Sequence, residues 1–298
     1  IGDAIPTVLT MTVVPILGAG SSMADYRIGF KWWALIIAVV FVISELVCVV
    51  CVPERPVACD EKPGKISDMF KALFKNDQAM TVVVSIILVY TSLNICGNLV
   101  LYFFRFDVGN EGAYSIFAAV AFAAQVLVMM VIPLLRKRFS KSQLFISGFV
   151  IQIAGFAVIL IMAFAKLYTP QSWYILCLPG ILIYLGYGML NVIMTIFLSD
   201  SVDYGEVMNG TREESVIFSM QTFTVKLASG VAVFLAGLVV DWIHLDTAAA
   251  VQTQDTLDAL RMWMTIPSVI LLIVGIFVFK RFYKLDDTRM EEIKSKLN

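Results

Sequence analysis

The residue types that could do chemistry gather between Asp200 and Gly237. A polar, charged loop with Asp200, Asp203, Glu206, Arg212, Glu213 and Glu214 leads into an apolar run, and that run holds a lysine, Lys226. A charged side chain at the centre of a bilayer costs about 2.5–3.5 kcal/mol on insertion scales, so it normally faces a cavity or a partner. With about 100° per residue and Ser215 at zero, Ser219 falls at about +40°, Thr222 at about −20°, Lys226 at about +20° and Ser229 at about −40°. These residues share one arc, with Gly230 beside it. Small residues at this spacing allow close helix packing. They also suit a cavity wall that offers hydroxyls and a cation to a polar solute. Packing explains the serines, but it does not require the lysine.

A second stripe lies at Thr91, Asn94, Asn98, Tyr102 and Arg105. From Thr91 at zero, the other four fall at about −60°, −20°, +20° and −40°. Two asparagines one turn apart in hydrocarbon need partners. Either they bridge to a neighbouring helix or they line a water-filled cavity and bond a solute. Arg105 is expected to snorkel to the outer interface. Pro179, Gly180, Gly186, Gly188 and Asn191 share another apolar run, and they suit either close packing or a hinge. Cys48 and Cys51 have C-x-x-C spacing but no histidine nearby, so no metal site is expected there.

The elements that hold these residues follow from composition. The 298 residues are 59% hydrophobic and 15% charged, with mean hydropathy +0.86. Apolar runs of about 20 residues recur, each able to cross a ~30 Å hydrocarbon core. The fold class is an all-α, multi-pass membrane protein. Eight spans are expected near residues 3–20, 32–52, 79–104, 113–135, 143–165, 173–199, 215–242 and 260–280. Residues 53–78 form a polar segment. Within it Ile66, Met69, Phe70, Leu73 and Phe74 recur at helical spacing between Lys65, Asp68, Lys71 and Lys75, as in an interfacial amphipathic helix. A polar tail, 281–298, closes the sequence.

Lys and Arg set the orientation. With 53–78 placed inside, sixteen of them lie in inside connections and five in outside ones, which puts the C-terminus in the cytoplasm. No Gly-rich phosphate loop, H-E-x-x-H helix or nucleophile with a histidine partner is present, so no enzyme activity is expected.

The series Asp203-Tyr204-Gly205-Glu206, Arg212-Glu213-Glu214-Ser215 and Gln221-Thr222-Phe223-Thr224-Val225-Lys226 closely resembles the glycoside–pentoside–hexuronide:cation symporters of the major facilitator superfamily. That family includes melibiose, lactose, xyloside and glucuronide carriers. Pro53-Glu54-Arg55 and Lys71-Ala72-Leu73-Phe74-Lys75-Asn76 look like its central loop, and Leu134-Leu135-Arg136-Lys137-Arg138-Phe139 looks like the basic loop of the superfamily. The resemblance covers essentially the whole chain as helices five to twelve of twelve, a partial transporter fold. It implies that 1–52 ends an N-terminal six-helix half, 53–78 is the cytoplasmic central loop, and 79–280 is the C-terminal half. It also implies four further helices ahead of Ile1, so the chain reads as a fragment.

The function implied is secondary active sugar:cation symport by alternating access in the cell membrane, driven by Na⁺ or H⁺, with no other cofactor. Lys226, Thr222 and Gln221 match positions at or beside the sugar and cation sites. Ser229, Asn94, Asn98 and Tyr102 join them on the stripes. Asp203, Tyr204, Glu206, Arg212 and Glu214 match a cytoplasmic gate. The expected partners are a small sugar or glycoside, the coupling cation and the bilayer. A monomer is expected, with no nucleic-acid partner and no metal site. Two other readings stand beside this one. Relatives with the same lysine carry lysolipids, and a non-transporting receptor or inert truncated product belongs to a different class.

Overall fold

The computed structural model describes residues 4–19, 23–51, 74–210, 214–249 and 251–297. They divide into two units, Ile1–Gly64 and Lys65–Asn298.

The first unit is a helix pair, α1 (Ala4–Gly18) and α2 (Met23–Cys51). Glycine lets the two backbones touch: a Cβ on Gly29 would stand 2.1 Å from the Val14 carbonyl oxygen. Trp33 Nε1 donates to Thr10 Oγ1 at 2.8 Å across the pair. The described part of α1 is 15 residues long. At 1.5 Å per residue it covers about 22 Å, short of a ~30 Å core. The other seven expected spans are helices of membrane length and apolar composition. Arg27, Ile28 and the apolar run Val39–Val50 on α2 are largely exposed within this unit.

The second unit is a six-helix bundle with a short helix behind it. Its long helices are α3 (Asp77–Tyr102), α4 (Ala113–Leu135), α5 (Lys141–Phe164), α6 (Cys177–Asn209), α7 (Glu214–Trp242) and α8 (Gln254–Phe282), followed by α9 (Asp287–Leu297). Local chemistry sets several boundaries. Asn76 caps α3 by accepting from the Ala79 N–H at 2.9 Å, and its own Nδ2 donates to the Ser201 carbonyl on α6 at 2.7 Å. Ser140 and Gln143 form a capping box at the start of α5. Thr253 caps α8, and Gly210 at φ 73° ends α6 in the left-handed region that favours glycine.

One expectation needs correction. The residues from Asp200 to Asn209 are helical, so Asp203, Tyr204 and Glu206 lie on the last turns of α6 rather than on a loop. Charge alone does not break a helix, and the left-handed Gly210 is where this one stops. The polar tail carries a helix, α9, with an apolar side. Leu285, Met290 and Ile293 form a small buried cluster against Tyr204, Val207 and Tyr283, which docks α9 on α6. The expected amphipathic helix around Ile66–Leu73 lies outside the described residues.

α3 packs on α8, α7 and α6, while α6 packs on α5 and α4. At one end an aromatic cluster fills the core. Phe145 of α5 meets Phe197 of α6 at 5.1 Å and Phe279 of α8 at 4.5 Å between ring centroids. At the other end α3 runs into a π-helical turn, Phe103–Asp107, that buries Phe103 and Phe104.

Candidate functional site

The α7 helix presents two faces. One is buried and carries Thr224, Ala228, Ala232 and Ala236 at four-residue spacing, the small-residue seam on which α7 meets α3. Ser215, Ser219, Thr222 and Lys226 lie on the other face and are exposed, and Ser229 is half-buried. A Cβ on Gly230 would meet nothing within 4 Å. Within the described residues the packing seam is therefore the alanine face, not the serine–lysine stripe. The stripe hydroxyls return to their own helix: Ser219 Oγ donates to the Ser215 and Val216 carbonyls at 2.5 and 3.0 Å, and Thr222 Oγ1 to Phe218 at 3.3 Å. Lys226 has no carboxylate partner among the described residues. Gln221 is half-buried and sits off the stripe, at about −120° from Ser215.

The second stripe runs along α3. Asn94 and Asn98 are half-buried, and their Nδ2 groups donate to the carbonyls of Tyr90 and Asn94, each at 2.7 Å. Neither amide bridges to another helix. Both Oδ1 acceptors lack a described partner, and a Cβ on Gly97 between them would meet open space. Tyr102 is half-buried on the same side. The bridge that does exist is one turn earlier: Asn191 Nδ2 on α6 donates to Tyr90 Oη at 2.6 Å. Tyr187 packs edge-on to Tyr90 at 5.5 Å. Tyr90 was not singled out by the sequence, although it falls one turn before Asn94 on the same stripe. The polar face of α3 thus continues onto α6, while α7 flanks α3 along its alanine seam.

The glycines of α6 serve packing. Added Cβ atoms on Gly186 and Gly188 would stand 2.6 Å from the Gly148 carbonyl oxygen and 2.7 Å from Val128 Cγ1. Gln152, beside Gly186, is fully buried and its amide has no described partner.

The charged end of the bundle is built around a pair the sequence did not connect. Lys141 Nζ at the start of α5 donates to Asp200 Oδ2 on α6, and both side chains are only 7% exposed. Asp287, in the first turn of α9, lies 3.4 Å from both Lys141 Nζ and Arg136 Nη2. Partial burial works against the Asp287 carboxylate, but the Arg136 hydrogen bond and the Lys141 charge outweigh it and hold the carboxyl below its ordinary range. The Tyr283 hydroxyl is buried without a hydrogen bond, and burial beside Asp200 and Asp287 pushes its ionisation up, so it stays neutral. Of the predicted gate residues, Asp203, Glu206 and Glu214 are each engaged in a polar interaction, Tyr204 packs against α9, and Arg212 lies outside the described residues. The opposite end has its own tie: Arg261 of α8 grips Asp107 through Nε at 2.9 Å and Nη2 at 2.5 Å, and Tyr168 Oη donates to the same carboxylate at 2.5 Å. Arg105 reaches the Thr247 carbonyl at 3.3 Å at that end.

The family is decided over the chain as a whole. The model of the family described as MFS/sugar transport protein matches residues 1–287. The chain belongs to that family. Membership in the MFS/sugar transport family agrees with the resemblance carried by the Asp203–Lys226 series. It places the chain in a family of multi-pass membrane proteins, and the relatives it matches are named as carriers and permeases. The raffinose carrier protein of Pediococcus pentosaceus is 24% identical over 304 residues, covering 100% of this chain and 46% of the carrier. The isoprimeverose transporter of Lactiplantibacillus pentosus is 24% identical over 289 residues, 96% of this chain and 58% of that protein. A lactose permease of Lactobacillus delbrueckii subsp. bulgaricus is 24% identical, covering 90% of this chain and 42% of the permease. The chain spans about half the length of these relatives. Their names are those of sugar carriers, which does not favour the lysolipid reading.

Proposed function

We propose that this chain forms part of a sugar:cation symporter and that its share of the substrate site is the polar face running over α3, α6 and α7. The observation that carries this reading is the pair of open Asn94 and Asn98 acceptors beside the Tyr90–Asn191 hydrogen bond. Each sugar hydroxyl donates one hydrogen bond and can accept others. A wall of amide acceptors, a bonded tyrosine–asparagine pair and the Thr222 hydroxyl suits them, and it leaves apolar α3 and α6 surface for the ring faces. Lys226, exposed on the adjoining helix, would balance a carboxylate across the cavity, and the coupling Na⁺ or H⁺ would take its place in the charge balance. This is the arrangement of carriers that alternate access around a midplane site.

The domain reading carries over as part of the proposal. Residues 1–52 end one half, 53–78 connect, and 79–280 are the second half, with the C-terminus and the Lys141–Asp200–Asp287 network cytoplasmic. The protein works as a monomer in the cell membrane. The Asp203, Tyr204, Glu206, Arg212 and Glu214 group would join that network in closing the inner side.

The test is uptake of radiolabelled raffinose, isoprimeverose and lactose into cells expressing the gene, with and without imposed Na⁺ and pH gradients. One of these or a related glycoside is expected to accumulate only with a cation gradient. Lys226→Val is expected to abolish accumulation while leaving the amount of protein in the membrane unchanged. Gradient-driven accumulation at the normal level in that variant would remove Lys226 from the coupling role.

A further inference from the structure

At the end of the bundle where α3 begins and α8 stops, a groove of about 580 Å³ lies between the two helices. Its walls are apolar, with Met80 and Val84 on α3 and Val278 and Phe282 on α8. Its rim is basic, with Arg281 and Lys284. We propose that this groove holds one phospholipid with an anionic headgroup, the phosphate seated on Arg281 and Lys284 and an acyl chain lying along Met80, Val84 and Val278.

Depth supports this. At 1.5 Å per residue, Val84 lies about 10 Å in from Asp77, and Val278 about 4.5 Å in from Arg281. The apolar walls therefore begin where headgroups give way to acyl chains, and the cations stand at the headgroup level. α8 is 29 residues long, about 43 Å, which exceeds the ~30 Å core, so its last turn is placed at the interface.

Charge supports it as well. Arg281 and Lys284 are exposed, and neither side chain has a carboxylate partner among the described residues. The Arg281 guanidinium lies 5.6 Å from the centre of the Phe282 ring, a position that steadies it without neutralising it. One carboxylate, Asp77, also lines the groove. It already accepts from Gln78 Nε2 at 2.9 Å, and it sits in the first turn of α3 where the helix dipole favours it. Two open cations against one committed anion leave the rim positive. The backbone that shapes the rim is fixed: the Lys284 N–H donates to Gln78 Oε1 at 2.8 Å. The groove lined by Leu235, Trp263 and Pro267 carries no charged residue, and the adjoining one that shares Lys284 sets Asp286 and Glu292 against Lys284 and Arg289.

The experiment is native mass spectrometry of the purified 298-residue chain after delipidation, titrated in turn with phosphatidylglycerol, phosphatidylcholine and glycerol 3-phosphate. Wild type is expected to retain one phosphatidylglycerol at least about tenfold more strongly than phosphatidylcholine, and to retain no glycerol 3-phosphate. Arg281→Gln with Lys284→Gln should lose that preference, and Val84→Trp, which fills the groove and keeps both cations, should lose the bound lipid. Lys137→Gln with Lys294→Gln removes the same charge elsewhere and should retain it. Equal retention of the two lipids by wild type overturns the proposal without recourse to any variant. So does binding of glycerol 3-phosphate alone, which would make the site one for free phosphate. Retention of no lipid overturns it too, as does full retention by Val84→Trp.

Discussion

Lys141 and Asp200 form an ion pair inside the end of the bundle, each side chain only 7% exposed, although fifty-nine positions separate them. The pair fastens the start of α5 to α6. Removing one partner of such a pair strands the other charge and costs about 3–5 kcal/mol, whereas replacing both with apolar groups is often neutral. Lys141→Met and Asp200→Leu are each expected to lower the unfolding midpoint in detergent strongly, and the double variant to recover most of the loss. A double variant that sums the two single effects would show that the pair does not interact.

Asp287 ties α9 to this pair, and the tie should depend on pH. The folded-state pKa is held below the ordinary aspartate value of 3.8. Its contribution is therefore complete above that value and is lost as the pH falls through the lower folded-state value. Loosening of α9, read by limited proteolysis or amide exchange of residues 287–297, is expected only below pH 3.8. Arg136→Gln removes the hydrogen bond that outweighs desolvation and should move the loosening up toward pH 3.8. No movement in that variant would mean that Arg136 does not hold the carboxylate.

At the opposite end, Arg261 joins Asp107 through two nitrogens, and Tyr168 completes the site. Lysine carries the charge but cannot reproduce the fork. Arg261→Lys is expected to destabilise the protein measurably, and Arg261→Met by about 3–5 kcal/mol. Tyr168→Phe loses one hydrogen bond to a charged group, about 1.5–3 kcal/mol. Thermal unfolding of the three variants orders them, and an Arg261→Lys midpoint equal to wild type would contradict the bidentate geometry.

Two glycines give opposite expectations. A methyl group at Gly186 would stand 2.6 Å from the Gly148 carbonyl oxygen and 2.7 Å from the Gln152 nitrogen, both backbone atoms. Overpacking of this kind costs about 1–3 kcal/mol. A methyl group at Gly230 meets nothing within 4 Å on a helical residue, where alanine is favoured by about 0.5–1 kcal/mol. Gly186→Ala should lower the unfolding midpoint and Gly230→Ala should raise or preserve it.

Tyr90→Phe tests the proposed sugar face. The ring stays against Tyr187, and the Asn191 amide loses its acceptor. If the pair helps to hold a sugar, KM should rise about threefold to tenfold, the equivalent of one hydrogen bond, with little change in stability. A stability loss with unchanged KM would make the pair a purely structural bridge.

The spans and the Lys226 stripe were legible because each is a matter of one helix's own periodicity, and Ser215, Ser219 and Lys226 do share an exposed face. What the sequence left open was resolved by neighbours. The serine stripe and the alanine seam are both runs of small residues on α7, and only packing against α3 shows which one is the seam. The Asn94 and Asn98 amides satisfy themselves on their own helix, which periodicity cannot reveal. Lys141 counted only as one more cation in a basic loop, since its partner comes from a different helix. Asp200 to Asn209 has the composition of a loop, with four charged or amide residues and Gly205, but Gly205 stays helical and packs against Asn76, a contact that composition cannot reveal.

The 33 residues of α6 make a rod about 50 Å long, and the hydrocarbon they cross is about 30 Å thick. Asn191 stands partway along the rod on one side, and Asp200 lies nine residues, about 14 Å, further on and on the opposite side. Between the rod and α5, Gly148 and Gly186 bring backbone against backbone with no side chain to cushion them. A rod resting on a hard point works as a lever. Asn191 and Asp200 both lie beyond Gly186, about 7.5 Å and 21 Å along the helix, so a tilt about that point would move both the same way and Asp200 further, drawing on Lys141. The proposed substrate face and the charged end of the bundle share a single helix, so a tilt of α6 would reach Lys141 with no relay of side chains between them.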